Sequence, residues 1–263
     1  MSPALAAVAL AAASLSWLGC TGGRPPPRQA ESVRAKAELL ASQSSDVDQL
    51  VYEAGVRSLD WPEAEYRYQR RIRRGAHGQR SAHVTRDLGG KIVVAHFAEH
   101  GLDYSLSRFE EFHVQLGHTG SVQVTGNAVD FTLRRGGEVL HSHEDQSEPV
   151  VVGPTLYGFI LSHWAPLRSG AHINVRFAVV ERMETIGFTL QVTRETSQKV
   201  TVEMRPSSPL ISLVVDPSEI TFDTPGQHVL EYQGRGPPLT SRDGEFSPMD
   251  AHIVYENAPG HFN

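Results

Sequence analysis

Residues 149–192 read PVVVGPTLYGFILSHWAPLRSGAHINVRFAVVERMETIGFTLQV. Gly153-Pro154-Thr155 opens a helical segment, because proline suits a first helical turn, where its missing N–H is not needed. Leu156, Tyr157, Phe159, Ile160, Leu161 and Trp164 surround that segment, and a helix apolar on all sides must be covered on most of them. Pro166 is expected to stop it and Ser169-Gly170 to turn the chain. Beyond the turn the period changes to two. Ile173, Val175, Phe177 and Val179 share one face, as do Ile186, Phe188, Leu190 and Val192. Thr185, Thr189, Gln191 and Thr193 occupy the opposite face, the mark of a sheet with one wet side. The stretch therefore predicts one apolar helix packed as a plug on a curved sheet.

Working outward, short alternating runs joined by glycine-containing turns fill the chain on both sides. Before the stretch they are Tyr66–Arg74, Arg80–Arg86, Ile92–Ala98, Phe112–Leu116, Val122–Val124, Val129–Leu133 and Val139–Glu144. After it come Val200–Met204, Leu210–Val215, Ile220–Phe222, His228–Tyr232 and His252–Tyr255, with Pro237-Pro238 and a Gly- and Ser-containing loop setting off the last. No strand–helix alternation supports a parallel sheet. The expected fold is mainly β: a curled antiparallel sheet or partly closed β-barrel around one central buried helix, with a two-sheet sandwich as the alternative. Two peripheral helices are expected within residues 31–60. Val33, Ala37 and Leu40 mark the first, and Asp46 with Val47, Leu50, Val51 and Ala54 marks a second that Gly55 ends. Residues 61–263 then form the β-rich domain.

Among the 263 residues, 40% are hydrophobic and 21% charged, an ordinary globular balance, and the net charge of −6 argues against a nucleic-acid partner. Cys20 is the single cysteine, which excludes a disulfide framework and a cysteine-based metal site. Ahead of it, Ala4 to Leu18 is a nearly unbroken apolar run, too short to span a bilayer and suited to the core of a secretory signal. The sequence Trp17-Leu18-Gly19-Cys20 resembles the lipobox of bacterial lipoproteins. That resemblance implies a signal peptide over 1–19, lipidation of Cys20, and an anchor in the cell envelope; Thr21 after the cysteine implies the outer membrane. Residues 20–30, with a triple proline and two glycines, read as an extended tether.

His96-Phe97-Ala98-Glu99-His100 spells the metallopeptidase pattern His-x-x-Glu-His, but it lies in a strand-like run, where His96 and His100 would stand roughly 13 Å apart, too far for one metal. His141 and His143, two apart on a strand beside Val139, point the same way, into the barrel on this reading, and are the candidate metal ligands. Arg67, Arg70, Arg71, Arg73 and Arg74 are read as charge guarding a solvated edge strand, contact with anionic headgroups being the functional alternative. Neither a nucleophile elbow nor a phosphate or dinucleotide loop is present. No cofactor is expected.

From Tyr66 to Tyr255 the layout, with its Pro154–Trp164 helix, its Arg168-Ser169-Gly170 turn and its paired strands through Val192, loosely resembles uncharacterised bacterial envelope proteins in which curved strands wrap one helix. It is also similar to the periplasmic lipoprotein carriers, whose half-barrels hold acyl chains under a helix. These resemblances imply a non-enzymatic envelope lipoprotein that binds a hydrophobic small molecule or an envelope protein, or has a structural role. Leu156, Phe159, Ile160, Trp164 and Phe188 would be the walls of a ligand site. A tethered metal-dependent hydrolase is the alternative.

Overall fold

A computed structural model describes residues 25–61, 65–212, 215–225, 227–242 and 245–257. The expected signal segment, Cys20 and the first part of the tether lie outside the described residues. The chain enters through α1 (Pro27–Val47), followed by β1 (Gln49–Ser58), β2 (Glu65–Arg74), β3 (Gln79–Arg86), β4 (Ile92–His100) and β5 (Leu106–His113). Then come β6 (His118–Thr125), β7 (Ala128–Arg135), β8 (Glu138–Asp145) and β9 (Val150–Val151), leading to α2 (Gly153–Ser162) and α3 (Trp164–Arg168). Next are β10 (Ile173–Val179), a 3-10 turn (Val180–Arg182), β11 (Glu184–Glu195) and β12 (Lys199–Pro206). The short α4 (Pro209–Ser212) precedes β13 (Ser218–Asp223), β14 (Val229–Arg242) and β15 (Glu245–Asn257).

The strands of the described residues form one sheet in the order β8-β7-β6-β5-β4-β3-β2-β1-β15-β14-β13-β12-β11-β10-β9. Neighbours pair antiparallel, except that β9 runs parallel to β10. The fold is mainly β, with one large curled sheet that stays open at β8 and β9. The curl brings those ends together through side chains. Glu144 on β8 accepts hydrogen bonds from the Thr185 backbone N–H (3.1 Å) and hydroxyl (2.7 Å) on β11. Gly120 on β6 lies so close to Val180 that a Cβ there would stand 2.1 Å from Cγ1.

Alternation sorts the side chains into two faces. The inner face holds α2, where Pro154 to Ile160 are all buried, and its core includes Val175, Phe188, Leu190, Ile220 and Phe222. Burial of each of Leu156, Phe159 and Ile160 contributes roughly 1.5–3 kcal/mol. The outer face of β3 to β5 is covered by α1, whose Val33, Ala37 and Ala41 pack on Ala82, Ala95, Phe97 and Phe112. Arg86 clamps α1 down with hydrogen bonds to both carboxylate oxygens of Glu38.

Several sequence expectations are corrected. Residues 31–60 hold one helix, which begins at Pro27 inside the expected tether, with proline in its first turn. The second expected helix, Asp46 to Gly55, is instead mostly β1, in the interior of the sheet between β2 and β15. Its Tyr52, Ala54, Val56 and Ser58 are buried while Glu53, Gly55 and Arg57 are exposed. Pairing on both sides outweighs the weaker spacing of Val51 and Ala54 that suggested a helix. Val114 to Gly117 is a turn rather than a strand continuation, and Pro209–Ser212 is a helical turn where a strand was expected. Pro166 does not end the helical region, because it sits in the first turn of α3, where its missing N–H breaks nothing. Pro237 and Pro238 lie inside β14, at a register shift between Gly236 and Thr240, where no ladder hydrogen bond is required of them.

Candidate functional site

Beneath α2 the registers of four adjacent strands align a row of polar side chains on the inner face. Tyr52 on β1 pairs with Arg70 on β2, Arg70 with His83 on β3, and His83 with His96 on β4. Arg70 is 1% exposed. Its Nη2 donates to the Pro154 carbonyl at the start of α2 (3.2 Å), and its Cζ lies 5.7 Å from the centre of the Tyr52 ring. Its Nε and His83 Nε2 are buried without a hydrogen-bond partner, and the Tyr52 hydroxyl is buried beside Arg70 and Tyr68 without a well-aligned bond to either. Among the described residues no carboxylate is ion-paired with this guanidinium.

Neutral aromatic hydroxyls surround that charge. Tyr68 bonds His83 Nδ1, and Tyr157 of α2 bonds Tyr255 of β15. Burial pushes the Tyr68, Tyr157 and Tyr255 hydroxyls well above the usual phenol range, so they stay protonated. Burial also carries His83 well below the ordinary histidine range, and the nearby Arg70 adds to the effect. Of Tyr52, Arg70 and His83, only Arg70 therefore carries a charge at neutral pH.

Two features bound the row. Tyr104, in the turn between β4 and β5, stacks on His100 (5.0 Å between ring centres) and lies against Gly158 of α2. His100 in turn lines a cleft of about 540 Å³ between the β2–β3 hairpin and the β4–β5 turn, together with Arg73, Arg74, Gln79 and Arg80. Further along the inner face, Glu111 is held between His96 Nε2 and His118 Nε2, both at 3.0 Å. Burial alone would raise the Glu111 carboxyl, but hydrogen bonds from His118 and His96 outweigh it and hold it well below the usual range. His113, bonded to the Pro237 carbonyl, is pushed down to about 3 by burial.

The residues singled out from the sequence divide sharply. Leu156, Phe159, Ile160, Trp164 and Phe188 come together in the inner-face core. His141 and His143 do not enter the interior. They pair with Thr132 and Asp130 on the exposed outer face of β7 and β8, and His143 Nδ1 is 2.8 Å from Asp130. The reason is strand parity: Leu140 and Ser142 pair with the buried Leu133 and Phe131, so His141 and His143 fall on the opposite face. Among the described residues no group of three or more His, Cys, Asp or Glu is placed to hold a metal ion. His96 and His100 lie on strand β4 as expected, each bonded elsewhere.

Arg70 was read from sequence as one of a solvated run, whereas β2 is an interior strand. The signal lay in the alternation itself. Tyr66, Tyr68, Arg70 and Ile72 fall on one buried face, so the arginine interrupts an apolar stripe. Arg71 and Arg73 point the other way, to the Asp48 carbonyl and carboxylate.

No family model and no curated protein matches this chain. Solved structures similar to it include a LolA superfamily protein from Nitrosomonas europaea, at 11% identity over 87% of this chain and 91% of that one, with a TM-score of 0.23. A DUF1329 family protein from Desulfovibrio piger is similar at 8% identity over 90% and 95%, also with a TM-score of 0.23. An acyl-CoA thioesterase II from Mycobacterium marinum follows at 8% identity over 90% and 93%, with a TM-score of 0.15.

Proposed function

We propose that this protein is a bacterial envelope lipoprotein, anchored through Cys20, whose curled sheet binds the apolar part of a lipid or similar amphiphile beneath α2. The observation that carries the reading is α2 itself: an apolar helix with Pro154 to Ile160 buried, lying in the hollow of an open sheet. Leu156, Phe159 and Ile160 fill a trough whose floor includes Val175, Phe188, Leu190 and Phe222. An acyl chain offers the same kind of surface, about 0.8 kcal/mol per buried CH₂, and can replace those side chains when the helix lifts. A sheet closed into a barrel would have no open side through which to make that exchange.

The test is native mass spectrometry of the purified full chain, joined with extraction and identification of any bound lipid. A stoichiometric apolar ligand, lost when Phe188→Asp places a charge in the trough, is the expected result. An empty wild-type protein that also fails to take up added fatty acid would end the proposal. The anchor is tested separately by metabolic labelling with a radioactive fatty acid. Label should appear on the wild-type chain and vanish in Cys20→Ala, and an unlabelled wild-type chain would remove the anchor.

A further inference from the structure

We propose that the row Tyr52–Arg70–His83 is the binding site for the singly charged oxyanion head, a carboxylate or a phosphodiester, of the amphiphile whose tail occupies the trough. This inference rests on the tail-binding reading above and specifies the ligand's polar end. A guanidinium taken out of water loses its hydration, a cost that proteins ordinarily offset with a carboxylate. Arg70 is 1% exposed and, among the described residues, has none. It does have a neutral carbonyl, Pro154 O at 3.2 Å, and the face of Tyr52. A charged donor bonded to a neutral acceptor is an incomplete pairing, and Arg70 Nε is left over.

The leftover groups occupy adjacent strand positions. Arg70 Nε and His83 Nε2, on paired residues of β2 and β3, are buried without partners, and the Tyr52 hydroxyl on β1 is buried beside Arg70 and Tyr68 without a well-aligned bond to either. Tyr52 and Arg70 donate. His83 has its Nδ1 bonded to the Tyr68 hydroxyl, so its Nε2 donates or accepts according to tautomer. An oxyanion has the acceptor lone pairs that these groups lack. The charge matches a monoanion, since one guanidinium stands among neutral rings and hydroxyls. The position also matches the proposed tail. Arg70 bonds the first turn of α2, so a head at the guanidinium places the tail along the line that α2 now takes across the inner face. Arginine, with its planar fork of donors, suits either a carboxylate or a phosphodiester.

The experiment titrates the full chain with dodecanoate, dodecanol and lyso-phosphatidylglycerol below their aggregation concentrations, followed by native mass spectrometry and tryptophan fluorescence. The wild-type protein should bind at least one of the two anions tenfold or more tighter than dodecanol, and the favoured anion identifies the head as carboxylate or phosphodiester. Arg70→Met should abolish that preference, so that the favoured anion and dodecanol bind the variant with affinities within about threefold of each other. Tyr52→Phe, which keeps the fold's aromatic contact, should weaken the anion alone by roughly three- to tenfold, and it carries the test if Arg70→Met does not fold. Equal affinity for anion and alcohol, or a preference that survives in the variants, would show that Arg70 serves only the Pro154 carbonyl; the oxyanion site then falls and tail binding stands. Binding of none of the three probes removes both.

Discussion

Replacing Gly158 with alanine puts a methyl group where the Tyr104 ring lies. A Cβ built at Gly158 would stand 1.9, 2.1 and 2.3 Å from Tyr104 Cε1, Cζ and Cδ1. Ordinary contact begins near 3.4 Å, so the ring must withdraw by about 1.5 Å. It has little room to do so. His100 is stacked on it with planes 19° apart, and Tyr104 is held at φ 65°, in the left-handed region, by its N–H bond to the Gly101 carbonyl (3.1 Å). Overpacking of this kind costs about 1–3 kcal/mol. Alanine recovers up to about 1 kcal/mol of helix propensity over an interior glycine. The net loss expected is about 1–2 kcal/mol, which for a domain of this size lowers Tm by roughly 2–8 °C. In a Tyr104→Ala background the obstruction is gone, so Gly158→Ala should then stabilise, by up to about 1 kcal/mol. Urea denaturation of the wild type, the two single variants and the double variant forms a closed cycle. A coupling energy of at least about 1 kcal/mol is expected. Additivity to within about 0.5 kcal/mol would refute the idea that Tyr104 clasps α2 through this glycine.

Acid should destabilise the protein from near pH 6.5 downward. His83, His100 and His113 have folded pKa values depressed by burial, so the unfolded chain binds more protons once the pH drops below the ordinary histidine value. For His113 the loss runs from about 6.5 to its folded value of about 3, at up to about 1.4 kcal/mol per pH unit, and His113→Gln should flatten the Tm–pH profile there. Glu111 acts in the same direction at lower pH: its depressed pKa contributes stability above the ordinary carboxylate value, lost as pH falls towards the folded one. Glu144→Ala should cost about 1–3 kcal/mol by freeing the Thr185 N–H and hydroxyl, and should speed hydrogen exchange in β8; unchanged exchange would mean that this link does not hold the sheet's ends together. Phe222→Ala should cost about 3–5 kcal/mol, read by urea denaturation, because Phe222 is fully buried and packs edge-on against Trp164 and Tyr157.

Local order was readable wherever a segment's own period was strong. Ile173–Val179 and Ile186–Val192 alternate cleanly, and both are strands. Leu156, Phe159 and Ile160 lie around a helix too apolar to face water, and that helix is buried in the sheet's hollow. The dominance of β-structure and the single enclosed helix therefore followed from residue order alone, since side-chain burial enforces a period of two or of 3.6 on the backbone. Where local signals conflicted, pairing decided. The segment around Val51 and Ala54 has some helical spacing, but β2 and β15 supply hydrogen bonds on both sides and make it a strand. The candidate site depended still more on the tertiary structure. The orientation of His141 and His143 hung on the parity of β8, since moving the register by one residue exchanges inside for outside. Arg70 reads as one basic residue among five until three strands lie beside one another. Only then do the Tyr52 hydroxyl, the guanidinium and His83 become a buried row, because strand neighbours in space are 18 and 13 positions distant in the chain. The sequence by itself determined the β-rich class, most of the strands and the apolar plug. Only the assembled, curled sheet decided which charge lies beneath the plug, because burial is a property of what covers a residue and not of the residue itself.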